Sequence, residues 1–285
     1  MPLHHGYVGV NVFFVISGFL ITSILLRELN QHGRIDWPRF VGRRVRRLLP
    51  AAVAVLAVTS AVAWFAVPGL RRRDIGIDIA ASALYSVNWV FADRAVDYLA
   101  SDARPSPVQH FWSLAVEEQF YVVWPLALIV LAVVVRRLGR GRRVPSRRAV
   151  LLVLAALAVP SFGYAVWLAA VDPSRSYFVT TTRVWELGVG AALAVVLSGR
   201  EPIRGGVRTA VVGWAGLGAV LGSAALLPDR VAWPGPWTLL PTVGAAAVLY
   251  AGWTGVRGGP AVLLRAAPLV WVGGLSYSLY LWHWP

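Results

Sequence analysis

Hydrophobic residues in this chain gather into long runs separated by arginine-rich or acid-containing breaks. Nine runs predict helices, at 8–26, 48–67, 74–91, 110–135, 149–171, 178–197, 207–227, 237–253 and 268–285. Most approach the roughly 17–25 residues that cross a bilayer as a helix. The run at 74–91 is the weakest, because Asp74, Asp78, Ser82, Ser86 and Asn88 interrupt it. The run at 110–135 is apolar but holds adjacent acids, Glu117 and Glu118, with Gln119 and Tyr121 beside them. Helical spacing stacks Ser113, Glu117 and Tyr121 along one stripe and turns Glu118 about 100° away from Glu117. An ionisable side chain inside a span is costly, so the stripe is a functional-site candidate by default.

Charge along the breaks orders the spans. Residues 27–47 carry seven arginines against Glu28 and Asp36, and 136–148 carry seven with no acid. Both are expected on the cytoplasmic face by the positive-inside rule. An even number of crossings must separate them, so the 74–91 run is expected to be re-entrant or interfacial. The neutral breaks at 68–109, 172–177 and 228–236 then fall outside, together with the start of the 8–26 run. The pattern therefore predicts an all-α, polytopic transmembrane helix bundle. It has about eight full spans plus one re-entrant or interfacial helical segment, in a single membrane-embedded domain over 1–285.

Composition agrees with that class, at 58% hydrophobic residues and a mean hydropathy of +0.63. All 27 basic residues are arginine, and the net charge is +14. In a soluble protein that charge would suggest nucleic acid. Here the arginines bracket apolar runs, so topology and lipid headgroups account for them and no nucleic-acid partner is expected. The absence of cysteine removes disulfides, thiolate catalysis and thiolate metal sites. No H-x-x-x-H zinc pattern, phosphate-binding glycine loop or G-x-S-x-G elbow is present, so neither metal nor bound cofactor is expected.

Further candidates lie elsewhere. Arg183 and Glu186, three residues apart, are helix neighbours suited either to a structural ion pair or to a substrate-facing role. His283, between Trp282 and Trp284, reads as a core or interface residue or as a substrate contact. Arg43, Arg44, Arg46 and Arg47 serve topology, or form an anion site whose guanidinium forks bind phosphate. Two registers are open there: Arg44 with Arg47, and Arg43 with Arg46.

In order along the chain come GYVGVNVFFVISGFLIT, RRVRRLLP, HFWSLAVEEQFY, TTTRVWELGVGAALA and GGLSYSLYLWHWP. Together they resemble the integral membrane acyltransferase family three over nearly the whole chain. The resemblance implies a ten-helix bundle that transfers an acyl group, expected to be acetyl, from cytoplasmic acyl-CoA. The acceptor it implies is a hydroxyl of an extracytoplasmic carbohydrate or glycosylated small molecule. Its donor-side Arg-x-x-Arg motif maps best to Arg44 and Arg47, with Arg43 and Arg46 as the other register. Its remaining motifs make Glu117, Ser113 and Arg183 the catalytic candidates. Trp112, Trp185, Glu186, Tyr277, Tyr280 and His283 become substrate-binding candidates. In the mechanism so implied a base activates the acceptor hydroxyl, Glu117 orients the base and Arg183 stabilises oxyanion charge.

The chain departs from the family pattern at both ends. Members usually begin with a further helix bearing an arginine and, about ten residues on, the histidine regarded as the base. That histidine is expected upstream of Met1, and His5 would be only a substitute for it. Asn11 stands where many members have aspartate. Residue 285 falls inside the expected penultimate helix, so an appended hydrolase-like domain would lie beyond it. The alternatives are a non-catalytic membrane scaffold or sensor, and a transporter-like export component.

Overall fold

The computed structural model describes residues 7–95, 105–138, 144–201, 205–227 and 233–285. Among them every regular element is helical. The α-helices are α1 (Val8–His32), α2 (Trp37–Ala66), α3 (Gly69–Ala83), α4 (Val87–Ala95), α5 (Phe111–Leu138) and α6 (Arg147–Val171). They continue with α7 (Pro173–Phe178), α8 (Val184–Leu197), α9 (Val207–Leu226), α10 (Leu239–Trp253), α11 (Ala261–Leu264) and α12 (Ala267–Trp282). Five of these, α1, α2, α5, α6 and α9, are long and apolar enough to cross a membrane. The spans expected at 178–197, 237–253 and 268–285 are helices of 14, 15 and 16 residues.

Local chemistry sets several boundaries. Gly33 closes α1 in the left-handed conformation, φ 69°, which glycine adopts without a side-chain clash. Asp36 then caps α2 by accepting from the Arg39 amide. The basic stretch at 39–47, expected as loop, is therefore helical, and its arginines have fixed directions. The 178–197 run divides because its threonines satisfy backbone groups outside a helix. Thr182 Oγ1 donates to Ser176 O at 2.7 Å and Ser161 Oγ donates to Thr181 O at 2.6 Å.

The weak 74–91 run is two short helices folded against each other. Tyr85 makes the turn between them at φ 52°, an uncommon conformation for a bulky residue. The Gln119 side chain holds that turn by donating to Tyr85 O at 2.9 Å and to Asn88 Oδ1 at 2.9 Å. Farther along the two arms, Arg94 Nη1 meets Asp78 Oδ1 at 2.6 Å. The hairpin tip thus reaches α5 beside its two acids.

Small residues bring the central helices together. A Cβ on Gly18 would stand 1.9 Å from Leu187 O, and one on Gly190 would stand 1.9 Å from Val15 O. Only glycine permits this approach of α1 to α8, the backbone-to-backbone packing on which membrane helices rely. Gly216 and Gly244 join α9 to α10 in the same way, a Cβ on Gly216 falling 2.6 Å from Gly244 O. The core centres on α1 and α5, where Phe14, Ile21, Leu25, Phe111, Trp124 and Leu128 are fully buried. Large apolar side chains such as Trp64, Phe65, Val130 and Trp271 point outward, as lipid-facing surfaces require.

Candidate functional site

The α5 stripe organises three polar clusters. In the first, Glu117 is buried and one carboxylate oxygen accepts from both Ser17 of α1 and Tyr121 one turn on. Trp124 Nε1 donates to Thr22 Oγ1 at 2.9 Å, so the same two helices are tied again beyond it. The Arg44 guanidinium lies 3.5 Å from the Tyr121 ring centroid, a cation–π placement, and 3.6 Å from Glu118 Oε1. A cavity of about 100 Å³ opens there, lined by Phe40, Arg44, Tyr85, Glu118 and Tyr121 among others. Both Arg44 Nε and Glu118 Oε1 are buried without a hydrogen-bond partner. Arg44 offers an unmet donor at this cavity, and an incoming anion would have to compete with Glu118, which lines the same wall, for that guanidinium. Of the other basic candidates, Arg43 turns away to pair with Glu28 at 3.8 Å. Arg46 and Arg47 are exposed.

In the second cluster, Arg183 and Glu186 are buried to 1% and 0% side-chain exposure and pair at 3.0 Å. Asn11 Nδ2 donates to the other Glu186 oxygen at 2.7 Å. Arg183 Nε and Nη2 both donate to Tyr177 O at 3.3 Å. The guanidinium also stands 5.3 Å from the Trp112 ring centroid and 5.1 Å from that of Tyr177. Asn11 thus supplies a neutral donor to an acid already paired with an arginine. Trp185 points to α6 instead, where its ring meets Phe162 and its amide donates to Ser161 Oγ at 3.1 Å.

The third cluster lies at the start of α5. Ser113 Oγ and Tyr280 OH are 2.5 Å apart, and Tyr280 OH donates to His110 O at 2.9 Å. The His283 ring centroid is 5.4 Å from that of His110. Tyr277 lies a turn earlier on α12 and donates to Leu48 O at 3.0 Å, fixing α12 to α2 near Arg44. The cavity beside Arg44 is lined by none of Glu117, Arg183 and His283. They are linked through α5 itself, with Trp112 against Arg183, Ser113 against Tyr280 and Glu117 at the centre. His5 lies outside the described residues.

His110 was not among the sequence candidates. It is 5% exposed, and neither ring nitrogen has a hydrogen-bond partner among the described residues. It stands just ahead of the spanning helix, where burial, aided by His283, pushes its pKa down to about 4. The Leu281 backbone acts in the opposite sense. The only legible signal was an imidazole next to a span in a chain with five histidines.

The sign of the linkage follows from that shift. The folded state holds His110 neutral down to about pH 4, whereas the unfolded state takes the proton near 6.5. His110 therefore contributes no pH-dependent penalty above about pH 6.5, and stability is lost as pH falls from there toward 4. Thermal unfolding in detergent is expected to show this decline, and His110→Gln is expected to flatten it. An unchanged slope in the variant would refute the assignment.

Comparison with known proteins places this geometry in context. A family model described as an acyltransferase domain matches residues 5–285. The chain is 34% identical, over 98% of its length, to the peptidoglycan O-acetyltransferase OatA of Listeria monocytogenes, covering 44% of that protein. It is also 34% identical over 98% to the putative peptidoglycan O-acetyltransferase YrhL of Bacillus subtilis, again covering 44%. The O-acetyltransferase OatA of Staphylococcus aureus is 31% identical over 99% of the chain, with 46% of its own length covered. The chain thus spans less than half the length of these curated relatives. No solved structure matches it.

Proposed function

Because the chain belongs to the membrane acyltransferase family whose model it matches across 5–285, we propose that it O-acetylates an extracytoplasmic glycan. The acceptor is peptidoglycan by similarity to the named relatives. The donor is acetyl-CoA, bound at the cytoplasmic face beside Arg44. The observation that carries this reading is the polar seam along α5. It runs from the Arg44 cavity past Tyr121 and Glu117 to Ser113, Tyr280 and His110.

Each part has a physical task. The Arg44 fork, with an unmet donor at the cavity, holds a donor phosphate, and the nearby Arg47 adds positive charge. The Tyr85 hairpin tip and the apolar flank of α2 shape the cavity wall. Glu117 ties Ser17 and Tyr121 into one geometry and so fixes the ring against which Arg44 lies. Arg183 and Glu186 hold Trp112 and Tyr177 in place from the far side. In this orientation 27–47 and 136–148 face the cytoplasm, and the start of α5 faces outward.

The test uses full-length protein in sealed vesicles, with labelled acetyl-CoA on the arginine-rich side and peptidoglycan fragments on the other. Ester-linked label is expected on the glycan, and it should fall at least about tenfold in Arg44→Ala through a raised donor KM. Label arriving only from a different acetyl donor would overturn the donor assignment. An absence of label on any glycan would overturn the whole reading.

A further inference from the structure

We propose that Glu118 is an internal competitor for Arg44, a carboxylate that keeps bare anions off the guanidinium until the donor's phosphates displace it. The inference rests on the donor-site reading above and adds a specificity-determining residue to that site.

The pair is close but loosely made. Arg44 Nη2 and Glu118 Oε1 stand 3.6 Å apart, beyond hydrogen-bond distance. Glu118 Oε1 and Arg44 Nε are both buried with no hydrogen-bond partner among the described residues. Arg183 and Glu186 differ on each count: they meet at 3.0 Å, and Asn11 and Tyr177 O take up further bonds. A pair that serves packing is satisfied in that way, whereas this one leaves a donor and an acceptor unmet at a cavity wall. Its side chains also keep an outlet, at 24% and 21% exposure against 1% and 0% for Arg183 and Glu186.

Of the two partners, the cation is the one held still. The Tyr121 ring lies 3.5 Å from the guanidinium, and Glu117 fixes that ring through its hydroxyl. On α5 the residues flanking Glu118 are fastened too. Glu117 accepts from Ser17 and Tyr121, and Gln119 bonds Tyr85 O, Asn88 and Thr180. No hydrogen bond among the described residues holds Glu118, so it is free to swing aside.

While Glu118 faces Arg44, every incoming anion must break that contact, and its affinity falls by one common factor. A small anion with no other contact then leaves the site mostly unoccupied. A donor with further phosphates, and with apolar groups to lay against Phe40, Val41, Leu48 and Leu49, still binds. The acid thus selects among anions without touching the bond that reacts.

The test measures binding of radiolabelled coenzyme A to full-length protein in detergent, below its Kd, with inorganic phosphate as competitor. Wild type, Glu118→Gln, Glu118→Asp, Arg44→Ala and the double variant Arg44→Ala with Glu118→Gln are compared, with folded yield followed by size-exclusion chromatography. Glu118→Gln is expected to bind coenzyme A about tenfold tighter and to be blocked by about tenfold less phosphate. Glu118→Asp keeps the charge on a shorter arm, so it is expected to tighten binding at least about threefold, which repulsion at a distance does not predict. In the Arg44→Ala background, Glu118→Gln is expected to change affinity by less than about twofold. Wild type that binds no coenzyme A, or binds it as well without Arg44, would overturn the donor-site reading itself. Binding that needs Arg44 but is the same in wild type, Glu118→Gln and Glu118→Asp would overturn only the role of Glu118. Equal tightening with and without Arg44 would also overturn it, as would Glu118→Asp behaving as wild type. Should Glu118→Gln fail to fold, Glu118→Asp decides the question in both backgrounds.

Discussion

Arg183→Leu with Glu186 left in place is expected to cost about 3–5 kcal/mol, enough to remove most folded protein from detergent extracts. The reason is geometric. Glu186 is completely buried, and its partners among the described residues are Arg183 at 3.0 Å and Asn11 at 2.7 Å. Taking away the cation strands the acid with one neutral donor, and also frees Tyr177 O and the faces of Trp112 and Tyr177. The double replacement Arg183→Met with Glu186→Leu is expected to recover much of the loss, because apolar substitutes avoid the unpaired charge. Yield and apparent melting temperature measure both. A single variant as stable as wild type would show that the pair does not hold α8 against α1 and α5.

Glu117→Gln is expected to fold normally and to lose about tenfold in acetyl transfer, because the charge beside Arg44 is removed while the hydrogen-bond geometry is kept. The amide has the same shape, and its carbonyl can accept from Ser17 and Tyr121 as the carboxylate does. What disappears is the carboxyl group facing the ring on which Arg44 rests and lying within electrostatic reach of Arg44 and Arg47. Tyr121→Phe keeps the acid and the ring but removes one donor, so a smaller loss is expected. Wild-type transfer in Glu117→Gln would remove this acid from the mechanism. A loss traced wholly to unfolding would do the same.

Much of the site could be read along the chain, because its elements are local. The stripe of Ser113, Glu117 and Tyr121 follows from helical period alone. The Arg183–Glu186 pair does too, and the two members do bond each other. The 74–91 run was legible as an exception because charged and amide residues break its apolar pattern. That Tyr85 makes its turn, with Gln119 holding it from 34 residues away, was not. The arginine register was open in the sequence, since both pairs share a face at i, i+3. Packing turned Arg44 to Tyr121 and Arg43 to Glu28.

Sequence by itself determined the membrane class, the helical composition and the acids buried at mid-helix. These depend on bilayer thickness and on a period of 3.6 residues, which act on neighbours along one helix. Only the tertiary structure decided which polar groups meet. Ser17 reaches Glu117 across 100 residues and Tyr280 reaches Ser113 across 167. His110 is enclosed by residues 170 or more positions away. Such meetings depend on how each helix is rotated and slid against its neighbours. Glycine contacts such as Gly18 on Leu187 set that rotation, and no periodicity along a single segment encodes it.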